Sequence, residues 1–149
     1  MLPMNRKAKK SILISLLMVA FLVAAFGYYL FNKGPVDVKN SSALKTNAIE
    51  LYEQFNSDSP GSLKKYSGKI LQVTGTITTV SLNQKKEKVF LLKTNTGGAS
   101  INCTMEEDPG AIKLNDIVSI KGICSGIGQG DEDLGIKGDV YLTRCFLIK

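Results

Sequence analysis

The chain has 149 residues, which is enough for one domain and a further segment. It contains no His, which excludes Ser-His-Asp and Cys-His catalysis and zinc sites that use His. Hydrophobic residues make up 44% of the chain, and this content excludes an intrinsically disordered protein.

The formal net charge of +6 is concentrated at the N-terminus. The first 33 residues contain no acid and carry five basic residues: Arg6, Lys7, Lys9, Lys10 and Lys33. Residues 34–149 carry 14 basic and 13 acidic residues, so this part is close to neutral. The total charge therefore gives no argument that the remainder of the chain binds nucleic acid.

An uncharged apolar segment of twenty residues runs from Ile12 to Phe31. At a rise of about 1.5 Å per residue, a helix of this length spans the hydrocarbon core of a bilayer. The basic cluster before it predicts a cytoplasmic tail over residues 1–11 and an extracytoplasmic remainder. We therefore expect a single-pass membrane anchor over residues 12–31.

A cleaved signal peptide is the alternative interpretation of this segment. Val23-Ala24-Ala25 and Ala25-Phe26-Gly27 both resemble the small-residue cleavage sites of such peptides. The apolar run continues past both sites and exceeds the usual length of a signal-peptide core, so we favour an anchor that stays attached. Both interpretations place the remainder outside the cytoplasm.

Residues 32–42 are polar and predict a linker, which leaves residues 43–149 for a folded domain. Apolar residues then recur at helical spacing and predict an amphipathic helix, with Ser41 or Ser42 as its N-cap. The members of this stripe are Leu44, Ala48, Leu51, Tyr52 and Phe55. We expect the helix to end within residues 56–60, to be followed by a short turn over 62–66, and to pack over one end of a barrel.

After Gly68 the hydrophobic period changes to two, which is typical of strands. The pattern predicts five strands: residues 70–80, 88–94, 100–105, 116–124 and 139–148. Gly75 suits a sharp bend that lets the first strand serve two sides of a barrel. The predicted fold is all-β with a short N-terminal helix: a five-stranded OB-like Greek-key barrel, with a small sandwich as the alternative.

Several segments, taken in order, resemble the tRNA_anti-like family of bacterial OB-fold proteins. They are Lys65-Tyr66-Ser67-Gly68-Lys69, Val73-Thr74-Gly75-Thr76-Ile77, Ile101-Asn102-Cys103, the run from Val118 to Gly126, and the run from Asp139 to Cys145. The resemblance implies a small secreted or membrane-anchored barrel without an established activity. The first cysteine is Cys103, so lipidation of an N-terminal cysteine is excluded, unlike in lipidated relatives.

One cysteine falls on each of the last three predicted strands: Cys103, Cys124 and Cys145. Outside the cytoplasm they can form a disulfide, and Cys145 neighbours either partner in an OB barrel. The alternative is three buried free thiols. Three cysteines without His or a fourth ligand do not predict a metal site.

Two further motifs resemble reactive or ligand-binding loops. Gly122-x-Cys124-x-Gly126 has the form of a nucleophile elbow, but the chain has no His to serve as base. The loop after it contains Asp131 and Asp133, whose charges repel phosphate. The spacing of these acids is only faintly similar to that of a calcium-binding loop. We therefore predict no catalytic residue, no metal and no cofactor.

OB barrels bind ligands across their second and third strands, between the loops that join strands one to two and four to five. Candidate ligand-binding residues on this surface are Lys85, Lys86, Lys88, Phe90 and Asn102. The first loop is basic and the second is acidic. We predict a non-enzymatic binding module for a glycan, a peptide or an envelope protein. The alternatives are a binder of single-stranded nucleic acid and a thiol-active protein that uses Cys124 or Cys145.

Overall fold

The computed structural model describes residues 6–148, and the chain divides after Val36 into two compact units. The first unit contains helix α1 (Arg6–Asn32). Its most apolar window has a mean hydropathy of 2.3, and the helix is long and apolar enough to cross a membrane, as a signal sequence also is. The predicted tail over residues 1–11 is helical from Arg6, and its first five residues lie outside the described part.

The second unit is a closed five-stranded barrel with two helices and one added strand. Its elements are β1 (Leu44–Asn47), α2 (Ala48–Ser57), α3 (Ser59–Tyr66), β2 (Ile70–Leu82), β3 (Lys88–Lys93), β4 (Ser100–Met105), β5 (Ile117–Ile127) and β6 (Val140–Ile148). The strand order is β1-β2-β3-β4-β6-β5, and β2 also pairs with β5, which closes the barrel. Strands β2 to β6 are the five predicted strands, so the predicted OB-like barrel is confirmed.

Strand β2 bends in its middle to serve two sides of the barrel. Its first half pairs with β5 from Ile70 to Thr76, and its second half pairs with β3 from Ile77 to Leu82. Gly75 lies at the bend, where an added Cβ would come within 2.9 Å of the Cβ of Ala48 in α2. The glycine is therefore needed both for the bend and for the close approach of the helix.

The barrel interior is filled by the inward-facing residues of all five strands and by one face of α2. Burial alternates along β4 and β5, as expected for strands with one face on a core. The fully buried members include Leu71, Val73, Ile77, Phe90, Leu92, Ile101, Ile120 and Leu142. Tyr52 and Phe55 of α2 complete this core, so the predicted packing of a helix over the barrel end is confirmed.

The predicted start of this helix is wrong. Residues 44–47 form β1, which pairs in parallel with β2, and the helix begins at Ala48. The N-cap is Asn47, whose Oδ1 accepts a hydrogen bond from the amide of Glu50 at 2.8 Å, rather than Ser41 or Ser42. Leu44 fits the helical period but is 46% exposed, because backbone pairing with β2 fixes this segment instead.

A second helix, α3, replaces the predicted short turn. Asp58 caps it by accepting a hydrogen bond from the amide of Gly61 at 3.1 Å, and Pro60 suits its first turn. Gln54 of α2 holds the two helices together, since it accepts hydrogen bonds from the Tyr66 hydroxyl at 2.5 Å and, through its carbonyl, from Ser62 Oγ at 2.8 Å.

The barrel unit begins earlier than the predicted boundary at residue 43. Val38 is only 1% exposed. Lys121 Nζ on β5 donates hydrogen bonds to the carbonyls of Lys39, at 3.1 Å, and Ser41, at 2.9 Å. Residues 37–42, which the sequence assigns to the linker, are thus part of the folded unit.

Candidate functional site

The candidate site is the solvent-facing side of β3, β4 and β6. We call it the outer face and define it by Leu91, Lys93, Ser100, Asn102, Thr104, Tyr141 and Thr143. Strand register forms one row across it, because Leu91 pairs with Asn102 and Asn102 pairs with Tyr141. Their neighbours along each strand point into the core, so the pleat exposes these side chains together.

The outer face is almost uncharged. It offers hydroxyl and amide groups that both donate and accept hydrogen bonds, and its one charged group is Lys93. Tyr141 is 42% exposed, and its ring supplies a flat apolar surface with a polar tip. This chemistry suits a neutral polar ligand that presents flat surfaces for stacking.

The position of the Tyr141 ring is set by the start of the β5–β6 loop. A Cβ added to Gly128 would lie 2.8 Å from Cε2 of Tyr141, so the ring rests on the glycine backbone. The amide of Gly128 also donates a hydrogen bond to the carbonyl of Asp139 at 2.8 Å. Tyr141 therefore stands where the outer face meets this loop.

The structure places two of the three predicted lysines of the β2–β3 turn in solvent. Lys85 and Lys86 are exposed, and Asn83 orders the turn by accepting hydrogen bonds from the amides of Lys85, at 2.9 Å, and Glu87, at 3.0 Å. Lys88 instead forms an ion pair with Asp108, with 2.7 Å between Nζ and Oδ1. The hydrogen bond from Lys88 is the main reason that the pKa of Asp108 is lowered.

The two remaining predicted ligand-binding residues differ in position. Asn102 lies on the outer face and is half-buried. Phe90 is fully buried in the barrel core, so its side chain cannot reach a ligand on the outer face, and we correct the candidate set accordingly. Strand pleat explains the difference, because Phe90 and Leu91 are neighbours that point to opposite sides.

The structure adds Leu91 and Tyr141 to the predicted site. The one sequence feature that indicates an outward-facing Tyr141 is the alternation of residues along β6, because Tyr141 lies between the buried residues Val140 and Leu142.

The base of the acidic loop is tied to the barrel. Asp139 Oδ1 accepts a hydrogen bond from the amide of Ser100 at 2.8 Å, and the Tyr52 hydroxyl donates to the carbonyl of Gly138 at 3.0 Å. At the tip, Asp131 Oδ1 accepts from the amide of Leu134 at 3.1 Å. Across residues 6–148, no three His, Cys, Asp or Glu side chains are grouped to hold a metal ion.

All three cysteines are buried free thiols in the structure. Cys145 lies close enough to Cys103 to affect its pKa. A hydrogen bond with Cys145 and burial raise the pKa of Cys103 well above its usual value. Burial also raises the pKa of Cys124. A raised pKa keeps a thiol protonated, which is the opposite of the activation that a nucleophilic cysteine needs.

A separate cavity of about 430 Å³ lies beside the end of β6 and the β4–β5 connection. Phe146, Leu147 and Pro109 form its apolar lining. Lys39 stands beside it, with Nζ 3.1 Å from Glu107 Oε2 and 5.6 Å from the centre of the Phe146 ring. Lys39 and Glu107 are therefore already paired with each other, and Asp108, which also lines the cavity, is paired with Lys88.

Comparison with known proteins places the chain in a family. The tRNA_anti-like family model matches residues 1–132. No curated protein matches the chain. Among solved structures, it is similar to a putative aspartyl-tRNA synthetase from Leishmania major Friedlin, with 12% identity and a TM-score of 0.43. That alignment covers 78% of this chain and 23% of the synthetase chain. With the barrel described above and a family model that matches most of its length, the chain belongs to the tRNA_anti-like family.

Proposed function

We propose that this protein is a non-enzymatic, membrane-anchored binding module that presents its OB-fold barrel outside the cytoplasm. Its ligand would be a neutral polar chain, a glycan or a peptide of the cell envelope, bound on the outer face. The observation that carries the proposal is the row Leu91–Asn102–Tyr141, which is uncharged, accessible and arranged by strand register.

The proposed location is supported by α1 and its flanking charges. The helix has the length and hydropathy of a membrane span, and Lys7, Lys9 and Lys10 lie at its N-terminal end. Lys33 is the single basic residue that closely follows it. The positive-inside rule then favours a cytoplasmic N-terminus and an extracytoplasmic barrel.

The charge distribution supports a neutral ligand over a phosphate chain. A protein that binds single-stranded nucleic acid usually lines its groove with basic residues and stacks bases on several aromatic rings. Here Lys88 is paired with Asp108, the loop at the other side carries Asp131, Glu132 and Asp133, and Tyr141 is the one aromatic ring on the outer face.

Binding of single-stranded nucleic acid is the second candidate, and a specific observation favours it. The β2–β3 turn exposes Lys85 and Lys86, and the outer face exposes Lys93. Tyr141 provides one stacking surface. The two candidates differ in salt dependence, because contacts with phosphates weaken steeply as salt rises.

A non-enzymatic role is supported by the state of the nucleophilic groups. The thiols are buried, and the pKa of both Cys103 and Cys124 is raised. The outer face contains no carboxylate that could act with Lys93 as an acid–base pair.

The experiment uses the full-length protein in lipid vesicles with two probes: a soluble N-acetylglucosamine oligosaccharide and a single-stranded oligothymidine. We expect oligosaccharide binding that changes little with salt and weakens about tenfold in Tyr141→Ala. Lys45→Ala, an exposed change on β1, is the matched control and should bind normally. Steeply salt-dependent binding of oligothymidine alone would overturn the proposal in favour of the second candidate.

A further inference from the structure

The second half of β2 is exposed in a way that no other strand is. Residues 78–82 are exposed at five consecutive positions, whereas β4 alternates between half-buried and buried residues. Within residues 6–148, strand pairing covers this stretch on one side, by β3, and leaves its other backbone edge open. We call residues 78–82 the free edge.

The barrel ends its own pairing just before the free edge begins. Strand β5 pairs with β2 as far as Thr76. The next backbone bonds join Ile77 to Asn115 at 2.8 Å and to Asp116 at 2.9 Å, in the connection before β5. The chain then leaves β2, so the amides and carbonyls of residues 78–82 that point away from β3 face solvent.

The free edge lacks most of the features that keep edge strands from pairing. Its sequence, Thr-Thr-Val-Ser-Leu, has no charge and no proline, and the bulge at Thr78 precedes its regular part. Val80 is 38% exposed and Leu82 is 64% exposed, so apolar side chains accompany the open backbone. The ordered turn at Asn83 holds the edge extended. Such an edge is a template for another strand.

We propose that the free edge pairs with the same edge of a second copy of this chain, giving an antiparallel two-fold dimer. Pairing about Val80 places Thr79 opposite the partner's Ser81 and Val80 opposite the partner's Val80. Thr79 and Ser81 of both copies then lie on one face of the joined sheet, and Val80 and Leu82 lie on the other, with Thr78 opposite the partner's Leu82. A two-fold interface requires this self-complementarity.

Charges at the ends of the proposed interface are also complementary. In this register the β2–β3 turn of one copy extends past the partner's Ile77, beside the segment that contains the partner's Asp116. Lys85 and Asp116 are both exposed. The two-fold symmetry would thus place Lys85 of each copy beside the partner's Asp116, giving one such pair at each end of the interface.

A five-residue edge buries less surface than a standard protein interface. Two copies held in one membrane have a high effective concentration, which compensates for a small interface. This step rests on the proposed membrane anchoring, whereas the edge pairing itself does not. The experiment therefore uses the full-length chain in lipid vesicles.

The direct test is cross-linking of Val80→Cys. Residues that face each other in an antiparallel pair lie within the distance that a disulfide spans. We expect oxidation with copper phenanthroline to convert most Val80→Cys protein to a dimer on a non-reducing gel. The control is Thr143→Cys, an exposed position on β6, which should give no more dimer than the unmodified chain with its buried thiols. Equal yields from both variants would overturn the proposal.

A second measurement does not depend on added cysteines. Energy transfer between fluorophores at the N-terminus of separate copies should be seen for the unmodified chain and for Val80→Thr. It should fall to background for Val80→Lys, which places two lysines opposite each other, while the melting temperature stays within a few degrees. Transfer that Val80→Lys does not change would overturn the edge as the interface. If oligosaccharide binding is normal but no dimer forms, the proposed function stands and the dimer proposal fails. If the dimer forms but the oligosaccharide does not bind, the dimer proposal stands and the proposed function fails.

Discussion

The ring of Tyr141 lies against the backbone of Gly128, so that any side chain at position 128 would occupy space the ring now fills. This contact joins the outer face to the loop between β5 and β6. It means that a residue outside the proposed contact surface sets the position of the aromatic ring within it.

Gly128→Ala should displace the Tyr141 ring without unfolding the barrel. The new Cβ would lie 2.8 Å from Cε2 of a half-exposed side chain, which is free to move outward. We expect a changed Tyr141 ring resonance in NMR spectra and weaker oligosaccharide binding. Gly97→Ala is the matched control, because an added Cβ there meets no atom within 4 Å, and both properties should stay unchanged.

Gly122→Ala should be more damaging, because the neighbour is buried. The new Cβ would lie 2.5 Å from Cys145 Sγ and 3.2 Å from the carbonyl oxygen of Thr143. We expect a loss of about 1–3 kcal/mol in the free energy of unfolding, measured with urea. Adding Cys145→Ala removes the sulfur, so the double variant should lose less than the sum of the two single variants. Strict additivity would show that the sulfur is not the source of the strain.

Much of the fold follows from the periodicity of the sequence, because burial decides which side of each strand is apolar. This is why the five strands, and the bend at Gly75, agree with the structure. Strand β1 escaped prediction for a physical reason: Leu44 fits the helical stripe, and only pairing with β2, distant in sequence, makes the segment extended.

The candidate site was less predictable than the fold. A cluster of lysines indicates a basic loop, but the ion pair between Lys88 and Asp108 depends on a connection twenty residues away. Phe90 looked available because aromatic residues serve both cores and ligand sites, and only its burial decides between them. The sequence predicted that Cys145 neighbours Cys103 or Cys124; all three are free thiols in the structure, and Cys145 raises the pKa of Cys103.

The three thiols should resist alkylation in the folded protein. The hydrogen bond with Cys145 and burial raise the pKa of Cys103, and burial raises the pKa of Cys124, so these two thiols stay mostly protonated at pH 8. Cys145 is fully buried, so the reagent cannot reach it in the folded protein. We expect iodoacetamide to modify none of them before denaturation. Rapid modification of Cys124 in the folded state would support the thiol-active alternative instead.

The same reagent, used after denaturation, tests the disulfide prediction. Protein isolated from the cell envelope without reductant should show one reactive thiol, Cys124, if Cys103 and Cys145 are joined, and three if all are free. Protein denatured in the presence of reductant, which is removed before the reagent is added, is the control and should show three.

The Lys88–Asp108 ion pair should make part of the stability sensitive to acid. Because the pKa of Asp108 is lower in the folded protein than in the unfolded chain, its contribution is present at neutral pH and is lost as pH falls through the acid range below about pH 4. Asp108→Asn should therefore lower the melting temperature slightly at pH 7. At pH 2.5 the variant and the unmodified protein should melt at about the same temperature. Asp133→Asn, in the exposed acidic loop, is the control and should have little effect at either pH.

The proposed membrane topology can be tested in bacterial cells with reporters fused after Lys149. Four basic residues before the apolar segment and a mean hydropathy of 2.3 in α1 favour export of the barrel. We expect alkaline phosphatase, which is active only outside the cytoplasm, to be active in the fusion, and a fluorescent protein that folds only inside to be dark. Replacing Arg6, Lys7, Lys9 and Lys10 by Glu should reduce the phosphatase signal, because these charges retain the N-terminus inside. A bright fluorescent fusion with inactive phosphatase would place the barrel in the cytoplasm, where nucleic acid becomes the favoured ligand.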